Sequence, residues 1–364
     1  MYRGGIFDHI GYGFSRYSTD EKWLAPHFEK MLYDNALLVM IYLEAYQITG
    51  KELYKSIAIK TMSYINREMT SEEGGFFSAQ DADSEGAEGK YYVFSQEEIL
   101  DLLGEADGAA FNEYYGITSN GNFEGSNIPN LIDNPDYDPI PERIRALIPK
   151  VYHYRLGRTK LHKDDKLLFS WNALMITAFA KAYKAFGEEK YLQTAERGAA
   201  FLFEAMTDKR GKLFVSYRDG KVSGTGTLDD YAFSIWALLE LYEAAMDLNY
   251  LEQARKLCDL MRTGFWDEEN GGFYLTDKDA EPLIYRPKST YDGAIPSGNS
   301  AAGYVLIKLS KLTGLENYHE WGLKQLYFLS ENAAPYPAGY CFAMMVLMME
   351  LYQESFLCEN GVCS

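Results

Sequence analysis

Acid–base chemistry needs carboxyl and imidazole groups held where a substrate can reach them, and the first 35 residues concentrate both. They contain Asp8-His9, Arg16-Tyr17, Pro26-His27-Phe28-Glu29 and Tyr33-Asp34-Asn35. Of the five histidines in the chain, His9 and His27 lie here. Imidazole exchanges protons near neutral pH, so both are candidates for acid or base. The plainer role for either is a hydrogen-bonded loop anchor. A second group of polar clusters follows later: Ser170-Trp171-Asn172, Asp229-Asp230-Tyr231 and Ser297-Gly298-Asn299. A glycoside hydrolase needs two carboxyl groups, about 5–5.5 Å apart for retention and roughly 6.5–9.5 Å for inversion. Asp34 and Asp230 are the expected pair. A sugar epimerase needs a base and a second acid, which His9 and His27 would supply.

Around these groups, Arg16, Tyr17, Glu29, Tyr33 and Asn35 are expected substrate contacts from the first block. Trp171, Asn172, Asp229, Tyr231 and Asn299 are expected from the later clusters. Trp171 has the ring to stack on a sugar face or to fill a core. Asp81 and Asp83, in Asp81-Ala-Asp83-Ser-Glu85-Gly86, resemble the opening of a calcium loop. The twelfth position, where such a loop needs glutamate, is Tyr92, so a carboxylate-rich hairpin lip is expected and no metal. No cofactor is expected either.

The elements that position these groups repeat. Asn35, Asn172, Tyr231 and Asn299 each lie 15 residues before a landmark, Gly50, Gly187, Met246 or Gly314, and each landmark precedes a tyrosine by four residues. A fixed period of paired helices marks a repeat architecture. Apolar residues at three- and four-residue spacing predict helices at Met31–Thr49, Leu53–Met69, Trp171–Phe186, Lys190–Met206, Asp230–Met246, Tyr250–Phe265, Ser300–Thr313, Tyr318–Glu331 and Ala338–Glu354. Glycine just past a helix end takes the left-handed cap. Gly-rich motifs near Gly4, Gly74, Gly211 and Gly271 read as small β-hairpins between pairs. The unit is helix, turn, helix, hairpin. Such units build a ring in which inner helices start at one face. Residues 1–357 read as this toroid, with 104–169 an irregular insertion and 358–364 a tail. Nine long helices fall short of a closed six-pair ring, so an arc open at the N-terminal side is expected. Asp, Asn and Ser at the inner-helix starts would cap free amides. Several such starts together would also favour bound oxygen atoms.

The composition narrows the partners. Net charge is −18, with 35 basic and 53 acidic residues, which argues against nucleic acid and against an anionic membrane surface. No apolar run reaches the length of a membrane span. No leader peptide is visible, and the four cysteines at 258, 341, 358 and 363 include no Cys-x-x-Cys, so reduced thiols in the cytoplasm are expected. Cys258 and Cys341 sit in apolar helical patterns and read as buried. Thirty tyrosines suit semi-polar walls, as in a sugar cleft, as well as helix packing.

Longer motifs carry a resemblance. The run from Gly4-Gly-Ile-Phe-Asp-His to Asp20, then Trp23 and Pro26-His-Phe-Glu-Lys-Met-Leu-Tyr-Asp-Asn35, resembles the YyaL-type thioredoxin-domain proteins. Their vertebrate relatives are the spermatogenesis-associated thioredoxin-domain proteins. Ser78-Ala-Gln-Asp-Ala-Asp-Ser84, Gly121-Asn-Phe-Glu-Gly125, Asp229-Asp-Tyr-Ala232 and Pro296-Ser-Gly-Asn-Ser300 extend it over nearly the whole chain. The resemblance implies an all-α (α/α)6 toroid, similar to six-hairpin glycosidases and N-acylglucosamine 2-epimerases. It implies no defined activity. The family's thioredoxin-like domain and first helix pair do not precede the Gly4 block here, so thiol chemistry is not carried over. The expected function is a sugar- or glycan-binding protein with hydrolase or epimerase chemistry. The alternative is a non-catalytic scaffold that holds a glycan or a protein partner such as a thioredoxin-like chain, with a protein partner or self-association expected at the open wall.

Overall fold

A computed structural model describes residues 1–281 and 284–352. The chain divides into two units, Met1–Leu167 and Leu168–Ser364. Cys358, Cys363 and the expected tail lie outside the described residues.

In the first unit, α1 (Leu32–Thr49) and α2 (Glu52–Glu68) form one helix pair. Three further helices follow: α3 (Gln96–Leu103), α4 (Glu105–Tyr114) and α5 (Glu142–Arg158). The segment 104–169 is therefore only partly irregular, since α4 and α5 lie within it. Its helical period is broken by Gly104, Gly108, Pro149 and Gly157, which is why it does not read as helix. Phe111, Ile144, Ile148 and Val151 from this segment pack with Phe7 and Phe14 in one apolar core. A small antiparallel sheet orders Lys30–Met31, Ala79–Gln80 and Lys163–Asp164, with Lys30 opposite Gln80 and Ala79 opposite Asp164. It holds the entry to α1. A second hairpin pairs Tyr17–Ser18 with Pro26–His27, and a third pairs Asp83–Ser84 with Ala87–Glu88.

Buried charge joins the ends of this unit. Asp8 accepts from Lys30 Nζ at 2.9 Å and takes a bidentate pair from Arg155 of α5, each bond 2.9 Å. The Arg155 and Lys30 charges hold the Asp8 carboxyl well below the usual range despite burial. Burial dominates at Lys30 and pulls its amine down to about 8. Removing one partner of such a group would leave a buried charge uncompensated, at about 3–5 kcal/mol.

The second unit holds α6 (Phe169–Phe186) and α7 (Glu189–Ala205), then α8 (Leu228–Ala245) and α9 (Leu248–Phe265), then α10 (Gly298–Thr313) and α11 (Glu316–Ala333), and a last helix α12 (Cys341–Leu351). The hairpin Phe214–Arg218 and Lys221–Thr225 lies between the first two pairs. The first member of each pair is the more buried. Along α8, thirteen residues are buried, against six along α9, so α8 is an interior helix and α9 an outer one. Glu240 of α8 is buried and receives Lys184 of α6 at 2.7 Å and Lys308 of α10 at 2.7 Å, tying the three interior helices by charge. In three pairs the first helix closes on a left-handed residue, Gly187, Met246 or Gly314, as Gly50 closes α1 in the first unit. Cys341 departs from expectation. It opens α12 exposed, with Sγ 3.2 Å from the Ala338 carbonyl, whereas Cys258 is buried. No helix among the described residues is long and apolar enough to cross a membrane.

Candidate functional site

The aligned positions turn out to clamp the hairpins. Asn35 is fully buried; its Oδ1 accepts from Phe14 N at 2.7 Å and its Nδ2 donates to Phe14 O and Met31 O. Asn299 repeats this on Phe273, accepting from its N–H at 2.8 Å and donating to its carbonyl at 2.9 Å. Gln325 of α11 donates to the same Oδ1 at 2.9 Å. The Tyr231 hydroxyl accepts from Leu213 N at 3.2 Å, within the third hairpin motif. Asn172 is also buried and donates to Leu168 O at 2.9 Å. These residues lie inside the first turn of their helices, not at the cap. As substrate contacts Asn35, Tyr231 and Asn299 are corrected: their polar atoms are occupied by backbone, because each buried hairpin strand needs partners for its own amides.

His9 is likewise corrected. It is buried among Tyr2, Phe7 and Tyr115, with Nε2 3.2 Å from the Gly4 carbonyl. Burial, helped by the nearby Lys60 charge, pulls its imidazole down to about 3. It stays neutral and packed, a core anchor with no access to substrate.

The other residues expected from the first block do come together. The Tyr17–Ser18 strand places Tyr17 opposite His27, and their rings stack at 5.1 Å. Arg16 pairs with Glu29 at 3.3 Å, and the Arg16 charge also acts on Tyr33 and Asp34. His27 Nδ1 lies 2.7 Å from Glu88, and its Nε2 lies 3.8 Å from Glu29. Asp34, in the first turn of α1, has Oδ2 buried without a hydrogen-bond partner. Burial pushes its carboxyl up to about 7; Arg16 opposes the rise and Glu29 adds to it. A carboxyl group with that value is half protonated at neutral pH and can give or take a proton. Asp81 and Asp83 form the turn beside this region, with Asp81 Oδ1 accepting from Asp83 N at 3.1 Å. Among the described residues no group of three or more His, Cys, Asp or Glu is arranged to hold a metal.

In the second unit the two adjacent aspartates have different roles. Asp230 is buried; its Oδ2 accepts from Thr227 N at 2.7 Å and from the Thr227 hydroxyl at 2.9 Å, while its Oδ1 accepts from Ser170 N at 3.0 Å. It closes a capping box on α8 and ties down the start of α6. As the second catalytic carboxyl it is therefore corrected. Asp229 is the less committed acid. Burial pushes it up to about 7, with the neighbouring Asp230 adding and the Gly298 amide opposing. A Cβ at position 298 would sit 2.3 Å from Asp229 Oδ1, so only glycine lets this carboxyl lean on the start of α10. Trp171 lies half-buried in the first turn of α6.

One residue of the cluster, and one division of roles, escape the sequence reading. Glu88 carries no local signal, since its partner is 61 residues away. The Asp229 and Asp230 roles do carry one: Thr227-Leu-Asp-Asp230 is a capping-box spacing, which assigns Asp230 to the helix and leaves Asp229 over.

Comparison with known proteins agrees with this architecture. Residues 152–291 match the N-acylglucosamine 2-epimerase (GlcNAc 2-epimerase) family. Cellobiose 2-epimerase from Spirochaeta thermophila is similar in structure, with a TM-score of 0.58 at 13% identity, covering 91% of this chain and 66% of that one. The GH76 α-mannanase BT2949 of Bacteroides thetaiotaomicron is similar at a TM-score of 0.51 and 13% identity, covering 89% of this chain and 69% of that one. At these identities the likeness speaks for the fold alone, the all-α helical-hairpin class of the (α/α)6 toroids with small β-hairpins. Spermatogenesis-associated protein 20 of Mus musculus is 36% identical over 384 residues, covering 93% of this chain and 48% of that protein. The Homo sapiens protein is 34% identical, covering 93% and 49%. The chain spans about half the length of the curated relatives it matches. Over nearly all of its own length, the chain is similar to about half of spermatogenesis-associated protein 20, and it has the helical-hairpin fold seen in the cellobiose 2-epimerase.

Proposed function

We propose that this chain acts on a carbohydrate by proton transfer, in an epimerase-type reaction at the cluster of Arg16, His27, Glu29, Tyr33 and Asp34. The observation that carries the reading is Asp34: a carboxyl pushed to about 7 by burial, with one oxygen unpartnered, beside a guanidinium. In such a reaction a base removes the proton next to the sugar carbonyl, and an acid returns one to the opposite face. Positioned acid–base groups of matched pKa contribute about 10²–10⁴-fold each. Arg16 would hold the oxygen on which charge develops, and Tyr17 offers a ring to a sugar face. The match to N-acylglucosamine 2-epimerase and the fold shared with a cellobiose 2-epimerase support the substrate class. The hydrolase form is weaker, because Asp230 is committed to its capping box.

The test is solvent exchange. Reducing sugars, N-acylhexosamines and cellobiose among them, are incubated with the full chain in D₂O and followed by proton NMR. Deuterium is expected at C2 of at least one sugar, with the rate falling about 100-fold or more in Asp34→Asn. A folded protein that exchanges none of them would overturn the reading.

A further inference from the structure

The geometry points to Glu88 as the residue that sets the tautomer of His27 and so makes its Nε2 the proton acceptor. This rests on the acid–base reading above and deepens it.

The backbone places the two side chains against each other. His27 and Phe28 leave the Pro26–His27 strand in opposite directions. Phe28 is buried, stacked on Tyr92 at 5.3 Å, while His27 stays part-exposed under Tyr17. Glu88 ends the Ala87–Glu88 strand, and the next residue, Gly89, lies against the Phe28 ring. A Cβ at Gly89 would fall 2.5 Å from Phe28 Cε2. The hairpin is therefore pressed onto Phe28, which carries Glu88 across to His27. Glu88 Oε1 lies 2.7 Å from His27 Nδ1 and also takes the Phe28 N–H at 3.4 Å.

An ionised carboxylate only accepts hydrogen bonds. Nδ1 must then carry the hydrogen, and neutral His27 keeps its lone pair on Nε2. Glu29 Oε2 lies 3.8 Å from Nε2, beyond hydrogen-bond range, and Glu29 is itself paired with Arg16 at 3.3 Å. Nε2 is thus left to take a proton from a substrate, and the resulting imidazolium is stabilised by the carboxylate on its other nitrogen. Glu88 touches no reacting atom in this scheme; it is a positioning residue.

The experiment is nitrogen NMR on the full chain labelled with ¹⁵N-histidine, with His27 assigned through His27→Gln. At pH 8 the wild-type His27 is expected to show a protonated Nδ1 and an unprotonated Nε2. Glu88→Ala is expected to lose this pattern and shift toward the Nε2–H form, while Glu88→Gln, whose carbonyl still accepts, retains it. A wild-type His27 protonated on Nε2 overturns the assignment without any variant. So does a Glu88→Ala spectrum unchanged from wild type. On any sugar that exchanges at C2, Glu88→Ala is expected to lower kcat at least tenfold and leave KM within about twofold. If no sugar exchanges, the proposed reaction fails, yet the tautomer still decides the role of Glu88.

Discussion

At the residue scale, Asp34 and Asp229 share one physical condition: a carboxyl group buried without enough donors to hold its charge. Each is pushed to about 7, above its ordinary unfolded value of about 3.9. The folded state then binds more protons than the unfolded state between those values. The stability each group contributes is fully present below the unfolded value and is lost as pH rises through about 7. Ionised above that pH, both residues work against the fold. Asp34→Asn and Asp229→Asn are therefore expected to be more stable than wild type at pH 8, by roughly 1–3 kcal/mol after allowing for partial hydration. The gain should shrink toward pH 4. Urea unfolding at both pH values measures it. Equal stability at pH 8 would mean that water or an unseen donor already satisfies the carboxylates. A stabilising substitution that also removes C2 exchange would place Asp34 among residues held at a cost for their chemistry. Asp230 is raised by burial too, but three donors on its two oxygens oppose the rise, so its substitution also removes a cap and two backbone partners.

At the scale of elements, the helix–turn–helix pairs are legible in the sequence because their signals are local. The 3.6-residue period and the residue closing each first helix stand within 15 positions of each other. The helices α4 and α5 are less legible, since Gly108, Pro149 and Gly157 interrupt their pattern and tertiary packing onto Phe7 and Phe14 supplies what propensity lacks. The candidate site is legible as a neighbourhood: Arg16, Tyr17, His27, Glu29, Tyr33 and Asp34 do gather. Whether an amide such as Asn299 faces a ligand or a hairpin depends on where a strand 26 residues earlier passes, which no local pattern encodes. The four landmarks yield a further prediction. Gly50, Gly187 and Gly314 take left-handed conformations freely, but the fourth, Met246, does so at φ 54° with a full side chain. Its side chain is 73% exposed, so truncation removes little packing. An L-residue there costs about 1–2 kcal/mol, part of which glycine returns through its freer unfolded chain. Met246→Gly is expected to stabilise the protein by about 0.5–1 kcal/mol, read as a rise in urea midpoint with an unchanged slope.

At the scale of the whole molecule, charge sets a behaviour that no single contact explains. A net charge of −18 repels itself in any compact state, and salt relieves that repulsion. Salt also weakens ion pairs, so the two effects compete. The exposed pairs, such as Arg145 with Glu142 and Lys190 with Glu188, are worth little to begin with. The pairs that matter, Asp8 with Arg155 and Glu240 with Lys308, are buried and largely beyond the reach of mobile ions. Relief of repulsion should therefore win. Raising ionic strength from about 0.01 M to about 0.3 M shortens the screening length from roughly 30 Å to well under 10 Å, and at pH 8 it is expected to raise Tm by a few degrees. The isoelectric point of about 4.8 provides the control. Near pH 5 the net charge is almost gone, so the same salt step should move Tm far less, or lower it slightly through the exposed pairs. Scanning calorimetry at the two pH values and two salt concentrations separates the contributions. A salt effect of equal size at pH 5 and pH 8 would assign it to general ion exclusion rather than to the acidic surface.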